Sequence, residues 1–418
     1  MNRRQLLGSA AALLAQTALP WATAHGKKAR PENKDVLYGH STLPAGIRSK
    51  RVNTNTGTTL HILEAGYGRR ASPCVVLLHG FPELAYTWRN QLLPLAQAGF
   101  HVIAPDLRGY GQSVIRPVQY EDDLLPYSMF NRVSDVVGLV RALGHETVAA
   151  VIGHDWGGPT AQWCARVRPD IFRSVVSMST PFLKPPTAPL GAPSERRSSE
   201  VETDMDKELA ALPRPRKHYF TYSATSAAND DMWRAPQGVH DLLRALFHFK
   251  SADWEGNKPF PLASWSASEL AKMPDYYIME LHKGFSETMA AQMPSRQHIA
   301  NCAWMKEEDL RVYSTEFSRT GFQGGLNYYR VANDPRLGTE LKAFSARAID
   351  VPACYIGGDR DWATYQSPGA LEDMRNVCSQ LVSVRFIDQA GHSLAEERPQ
   401  EVNAALLDFL DKTQRAEP

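Results

Sequence analysis

The sequence predicts an α/β fold in which a mostly parallel sheet is covered by helices on both faces and interrupted by a helical insertion. Three observations predict it. Short apolar strand-like runs alternate with helical patterns between residues 74 and 178, at the spacing of parallel strands joined by crossover helices. The alternation then stops, and residues 182–344 are rich in Pro, Trp, Tyr and Met with no buried-strand run. It resumes at Pro352 and ends in a strand and a closing helix.

In chain order, the N-terminus comes first. Arg3 and Arg4 precede an apolar segment from Leu6 to about Leu19, and Ala22-Thr23-Ala24 follows as an A-x-A site. This has the layout of a twin-arginine secretory signal, so residues 1–24 are set aside from the fold, with cleavage expected near Ala24. The expected destination of the mature chain is the periplasm or the medium. The apolar stretch is shorter than a transmembrane span, and no later segment is longer, so no stable membrane insertion is expected. Residues 25–44 read as a loose polar leader.

The first part of the core is placed at residues 45–181. Thr58-Thr59-Leu60-His61-Ile62-Leu63-Glu64 alternates apolar and polar residues and reads as an antiparallel edge strand. Cys74-Val75-Val76-Leu77-Leu78 is continuously apolar, as a strand buried on both faces should be. A helix around 88–98, a strand at 101–104 and a loop at 105–113 follow. Val133, Val136, Val137 and Val140 recur at helical spacing. Next come a strand ending at Ile152, a helix carrying Thr160, Ala161, Cys164, Ala165 and Val167, and a strand at 174–178. Residues 182–344 are assigned to a cap, with helices suggested by Leu242, Leu243, Leu246 and Phe247 and by Leu270 and its neighbours. The second part of the core, 345–418, has a strand at 352–357, another at 382–387, and a helix from Pro399 carrying Val402, Leu406, Leu407 and Leu410.

Composition removes several function classes. With 418 residues, 43% hydrophobic and 22% charged, the chain is long enough for one large domain with an insertion or, equally, for two domains. Lys+Arg 46 against Asp+Glu 45 gives a net charge of +1, with no basic patch for nucleic acid. The 5 cysteines include no C-x-x-C pair, which argues against a zinc site or a disulfide framework. Cys74 and Cys354 lie in apolar runs and are expected to be buried free thiols. No metal or cofactor is called for, and oligomeric state is left open.

The chemistry centres on Val151-Ile152-Gly153-His154-Asp155-Trp156-Gly157-Gly158. A strand, a glycine-flanked residue and a helix start are the layout of a nucleophile elbow, here with Asp in place of Ser. Asp after a strand is also a common helix N-cap. As a nucleophile it needs no activating base, because a carboxylate with a reference pKa of about 3.9 is already ionised near neutral pH. It can attack an sp3 carbon such as that of an epoxide or alkyl halide, leaving an alkyl ester on the enzyme.

Functional residues in such sheets sit on loops beyond the carboxyl ends of the strands. Gly357-Gly358-Asp359-Arg360-Asp361 and Ala390-Gly391-His392-Ser393 both occupy such loops. His392, oriented by Asp361, would activate the water that hydrolyses the ester. Asp359 is the rival acid, and Asp361 is favoured because it stands further from the strand end. Either Asp could instead cap a turn. Ester hydrolysis also needs backbone donors for an oxyanion. Trp156, directly after the nucleophile, and Phe81, in the loop after the 74–78 strand, are assigned to that role, with the Phe81-Pro82 bond expected to be cis.

His79-Gly80-Phe81-Pro82-Glu83, Asp106-Leu107-Arg108-Gly109-Tyr110-Gly111-Gln112-Ser113 and Gly153-His154-Asp155-Trp156-Gly157-Gly158 together resemble the epoxide hydrolases of the α/β-hydrolase superfamily. The chain order nucleophile, acid, histidine is also that of α/β-hydrolases. The resemblance covers most of the chain after the signal and is weakest through the cap. It implies an α/β-hydrolase fold, a small-molecule epoxide and water as reactants, and a two-step reaction through an alkyl-enzyme ester. It also implies two cap tyrosines that hydrogen-bond the epoxide oxygen. Tyr329, in Gly324-Gly325-Leu326-Asn327-Tyr328-Tyr329-Arg330, matches the family's second tyrosine, and Tyr328 stands where the family often has Trp. For the first tyrosine, Tyr219 in His218-Tyr219-Phe220-Thr221-Tyr222 is preferred over Tyr222. Substrate contacts are expected from Trp156, Phe81, Tyr219 and Tyr329.

Independently of the resemblance, an alkoxide leaves poorly unless an acid donates to it, and a phenol of reference pKa about 10 is a suitable donor. Three other readings compete with this one. A haloalkane dehalogenase-like enzyme would use the same Asp155, with the Trp156 indole on the halide; Glu83 and the tyrosine motif favour the epoxide. A non-catalytic binding protein with this fold would have no reason to keep Asp155, Asp361 and His392 together. A nucleotide-binding reading of Gly109-x-Gly111 is rejected, because Val114 stands in place of the third glycine.

Overall fold

The computed structural model describes Tyr38 and residues 42–68, 72–186 and 205–414. The twin-arginine motif and the A-x-A site lie outside these residues. Ten strands are present among them: β1 (Arg48–Asn53), β2 (Thr59–Ala65), β3 (Cys74–Leu78), β4 (His101–Pro105), β5 (Ala150–His154), β6 (Val175–Met178), β7 (Arg216–His218), β8 (Ile278–Glu280), β9 (Ala353–Gly358) and β10 (Leu381–Ile387). Eight form one sheet in the order β1-β2-β4-β3-β5-β6-β9-β10. The six strands from β4 to β10 in that order are parallel, and β1 and β2 are antiparallel to their neighbours. This is the α/β-hydrolase fold.

The central strands are buried because they are apolar on both faces. Every residue of β3 and β5 is buried, and Val75, Val76, Leu77, Leu78, Val151 and Ile152 are at 0% exposure. Each such side chain contributes about 1.5–3 kcal/mol through removal from water. The covering helices include α1 (Arg89–Gln97), α2 (Met129–Ala142) and α3 (Gly157–Val167). On α2 the expected stripe is buried at Val133, Val136 and Val140. The closing helix Pro399–Gln414 starts on its proline, where a missing N–H costs nothing, and buries Val402, Leu406 and Leu410. Cys74 and Cys354 are buried free thiols.

Two expectations need correction. Strand β2 is not the edge, since β1, a polar segment without a strand-like pattern, pairs along its outer side. The β2 polar residues His61 and Glu64 are fully buried. His61 Nδ1 lies 2.8 Å from Asp106, and Glu64 is enclosed by Lys50 at 2.8 Å, His101 at 2.9 Å and Arg48 at 2.6 Å. Burial pushes the Glu64 carboxyl up, but those three partners outweigh it and hold it at about 2. Strand β5 also runs two residues past Ile152, so Gly153 and His154 belong to the ladder and Asp155 stands directly at its end.

Residues 205–344 are mostly helical, with Gly238–Lys250, Glu307–Thr320 and Gln323–Ala332 the longest helices. Leu242, Leu243, Leu246 and Phe247 form the buried face of the first. The insertion is not free of strands: β7 and β8 make a three-residue antiparallel pair. Elements that short leave no readable periodicity, yet β7 delivers the chain directly to Tyr219. No described helix is long and apolar enough to cross a membrane.

Candidate active site

The elbow begins with the ladder. Strand β5 carries the chain to His154, and Trp156 caps helix α3 immediately afterwards. The one residue between them, Asp155, must reverse the chain direction and does so at a φ of 48°, a left-handed conformation that side chains rarely adopt. Its side chain is thereby thrown up from the sheet. The opposite wall is Gly80, where a Cβ would lie 2.3 Å from the Asp155 Cβ, so only glycine fits. The Phe81-Pro82 bond beside it is cis.

The two carboxylate oxygens of Asp155 have different surroundings. Oδ1 accepts the Phe81 backbone N–H at 2.9 Å, while Oδ2 lies 3.3 Å from His392 Nε2. In the described contacts the Trp156 backbone N–H makes no bond to this carboxylate. Burial pushes the Asp155 carboxyl up, but the bond and charge of His392, with Lys250 and His154, hold it well below the usual carboxylate range. Asp155 is therefore an anion.

His392 Nδ1 lies 3.1 and 3.2 Å from the two oxygens of Asp361. Asp361 also accepts the Ala363 N–H at 2.9 Å, so it caps a turn and faces the imidazole at once. Asp359 points elsewhere: its Oδ1 takes the Ala390 N–H at 3.2 Å. Burial and the Lys250 charge press the His392 imidazole down, but the Asp361 and Asp155 carboxylates outweigh them and raise it to about 9.

Behind these groups stand residues to which sequence reasoning gave no role. Glu83 Oε2 accepts the Gly80 N–H and lies 2.9 Å from His154 Nδ1. The other ring nitrogen of His154 lies 2.7 Å from the His392 carbonyl. The turn after β3 and the loop carrying His392 are thus joined through one buried imidazole. His79 likewise donates from Nδ1 to the Gly80 carbonyl at 2.8 Å and accepts the Leu107 N–H at Nε2 at 3.0 Å, the pattern of a neutral ring. Burial holds its pKa below the ordinary value. The only sequence signal for these links was the presence of His79, Glu83 and His154 inside the quoted motifs.

The tyrosines separate cleanly. Tyr219 opens the helix Tyr219–Ser223, and its hydroxyl donates to Gln366 Oε1 at 3.0 Å. Tyr222 instead donates to Asp231 at 2.6 Å. Tyr329 packs edge-on against Trp156, with centroids 5.0 Å apart. Its neighbour Tyr328 points to the core, where it donates to the Arg108 carbonyl. The Tyr219 and Tyr329 rings lie 5.9 Å apart. Burial first, with neighbouring groups including Asp155, raises both phenols above their ordinary value, so both keep their protons. The helix Gln323–Ala332 reaches this position because Gly324 lies against Gly109: a Cβ on Gly324 would meet the Gly109 carbonyl oxygen at 2.0 Å.

A cavity of about 350 Å³ opens over Asp155, with Trp156, Tyr219, Phe220, Trp265 and Gln366 among its walls. Of the expected substrate contacts, Trp156 and Tyr219 line it. Phe81 turns its backbone to Asp155 and packs its ring against Tyr329 at 5.5 Å, and Tyr329 in turn packs against the wall residues Trp156 and Tyr219. Among the described residues, no group of three or more His, Cys, Asp or Glu could hold a metal ion.

The chain matches the alpha/beta hydrolase fold family over residues 73–268. Epoxide hydrolase 3 of Siraitia grosvenorii is 34% identical over 369 residues, covering 86% of this chain and 97% of that protein. Epoxide hydrolase A of Mycobacterium tuberculosis is 33% identical over 373 residues, covering 87% and 98%. Among solved structures, epoxide hydrolase A from Mycobacterium thermoresistibile superposes with a TM-score of 0.68 at 30% identity, over 87% of this chain and 98% of that one. An epoxide hydrolase from an endophytic Streptomyces gives 0.72 at 29% identity, over 89% and 97%. With relatives above 30% identity aligned over nearly their full lengths, the chain belongs to the epoxide hydrolase family of the α/β-hydrolase superfamily.

Proposed function

We propose that the protein opens an epoxide to a vicinal diol through a covalent ester on Asp155. One observation carries the reading: the Asp155 carboxylate is held between the Phe81 N–H on Oδ1 and the His392 imidazole at Oδ2. Oδ2 attacks a ring carbon, the C–O bond of the epoxide breaks, and the alkoxide takes its proton from Tyr219 or Tyr329. His392 then removes a proton from water, which adds to the ester carbonyl carbon. The negative charge collects on Oδ1, which accepts the Phe81 N–H in the resting protein, and the Trp156 N–H is the second donor assigned to it. Collapse breaks the bond from the ester carbon to the former Oδ2, the departing diol oxygen takes the proton of the added hydroxyl, and the imidazolium, steadied by Asp361, returns its proton to the tyrosinate. Residues 182–344 serve as the cap that shapes the substrate cavity.

The dehalogenase-like alternative needs the Trp156 indole for a halide, and here that ring packs edge-on against Tyr329 with centroids 5.0 Å apart. Mass spectrometry of His392→Gln after mixing with styrene oxide, and separately with a bromoalkane, tests the choice. The expected result is an adduct on the Asp155 peptide that retains the epoxide oxygen. An adduct from the bromoalkane alone would move the assignment to dehalogenation.

We also propose export through the twin-arginine route, on the strength of Arg3-Arg4, the apolar stretch and Ala22-Thr23-Ala24. N-terminal sequencing of protein from the periplasm or medium should begin near His25. Recovery of the full-length chain in the cytoplasm would oppose it.

A further inference from the structure

We propose that Glu397 is a positioning residue for the hydrolytic step, clasping the loop that carries His392 to the chain segment leaving the cap helix Gly238–Lys250. His392 belongs to a loop after β10, where no strand ladder holds the backbone. Glu397 supplies the missing partners. Its Oε2 accepts the Gly391 N–H at 2.8 Å and its Oε1 the Ser393 N–H at 3.0 Å, so the base is gripped on both sides. The same Oε2 accepts a third N–H at 2.9 Å from Ala252, 145 residues away in sequence.

Two further contacts follow the same line. The His392 backbone N–H donates to the Lys250 carbonyl at 2.9 Å. Gly391 lies so close to Ser251 that a Cβ there would sit 2.5 Å from the Ser251 Cα. The base loop is therefore docked backbone to backbone on residues 250–252, and Glu397 is the side chain bonded to both. In the described ion pairs the adjacent Glu396 is matched with Arg89, whereas Glu397 is matched with none and is satisfied by amides alone. Burial, opposed by the Ala252 and Gly391 amides, raises the Glu397 carboxyl to about 8, so this side chain orients backbone and does not anchor a charge.

The inference rests on the assignment of His392 as the base of the second step. That step alone requires the imidazole to be placed against a water, so loosening the clasp should spare alkylation and slow hydrolysis. A misplacement near 1 Å can cost about 10²-fold in rate. The test is transient kinetics of both half-reactions with styrene oxide in wild type, Glu397→Gln and His392→Gln. Glu397→Gln keeps one acceptor oxygen and presents an NH2 group where an N–H now donates. Expected is an alkylation rate close to wild type, an ester-hydrolysis rate lower by roughly 10- to 10²-fold, ester visible by mass spectrometry, and a KM that falls together with kcat. A purely structural role would lower thermal stability and the active fraction while leaving the hydrolysis rate of the folded enzyme unchanged, and that result overturns the proposal. Should Glu397→Gln not fold, Ala252→Pro removes the cap's N–H, with a fixed φ as its added constraint, and carries the same expectations. Ester that accumulates in His392→Gln but not in the clasp variants refutes the clasp alone. Its absence from His392→Gln refutes the underlying assignment.

Discussion

His392 Nε2 lies 3.3 Å from Asp155 Oδ2, so in the resting protein the histidine is paired with the carboxylate that it must later help to regenerate. The pairing is electrostatic in origin. It holds Asp155 as an anion and raises His392 to about 9 against burial and the Lys250 charge. Ester formation removes the Asp155 charge and with it one of the causes of that elevation.

The imidazole should therefore titrate at a lower pH once Asp155 is neutral. A base works when unprotonated, so ester hydrolysis should rise with pH through a value below about 9. NMR titration of His392 in wild type and in Asp155→Asn is the direct check. Equal midpoints would show that Asp155 does not set the protonation of the base.

The different surroundings of Oδ1 and Oδ2 predict where oxygen goes. In a single turnover of excess enzyme in H2 18O, the label should enter the Asp155 peptide and not the diol, because Oδ2 leaves with the product. Label in the diol after one turnover would mean direct attack of water on the epoxide. Asp155→Ala should have no turnover.

Tyr329→Phe and Tyr219→Phe should each slow alkylation, by about 10²-fold for the loss of an acid, with ester hydrolysis unaffected. Tyr222→Phe should leave both rates unchanged and cost about 1 kcal/mol of stability, from its lost bond to Asp231. Stopped-flow traces of the three variants separate the roles. Full alkylation by Tyr329→Phe would remove Tyr329 from the site.

Gly80→Ala should abolish alkylation in a folded protein, since the new Cβ would lie 2.3 Å from the Asp155 Cβ and 2.5 Å from its Oδ1. Wild-type activity in this variant would mean that the turn after β3 yields more easily than its packing indicates.

Leu77→Ala tests the core apart from the chemistry. Leu77 is at 0% exposure in the central strand β3, and its truncation should cost about 2–5 kcal/mol. Denaturant midpoints measure the loss, and kcat per folded molecule should stay unchanged.

How much of this was legible in the sequence depends on the range of the interaction involved. The β3, β5 and β9 runs could be read directly because strands buried on both faces are apolar throughout. The elbow could be read because a glycine-flanked residue between strand and helix is a local pattern. The break in rhythm at residue 182 announced the insertion. Strand β1 was missed because its partner across the sheet, and not its own pattern, makes it a strand. The partners of His61 and Glu64 could not be read for the same reason: Asp106, His101, Lys50 and Arg48 come from other elements.

The sequence by itself determined the α/β order, the elbow and the set of residues able to carry this chemistry, because each depends on neighbours a few positions apart. Only the tertiary structure decided which of the alternatives face one another. Tyr219 and Tyr222 are equivalent by local pattern, yet one hydroxyl reaches Gln366 on the cavity wall and the other Asp231. Asp359 and Asp361 differ by two positions, yet only Asp361 meets His392. Glu83, His154 and Glu397 acquired partners 71 to 238 residues away. A hydrogen bond is made over about 3 Å in space, and residue spacing along a strand or helix carries no information about which distant backbone will arrive there.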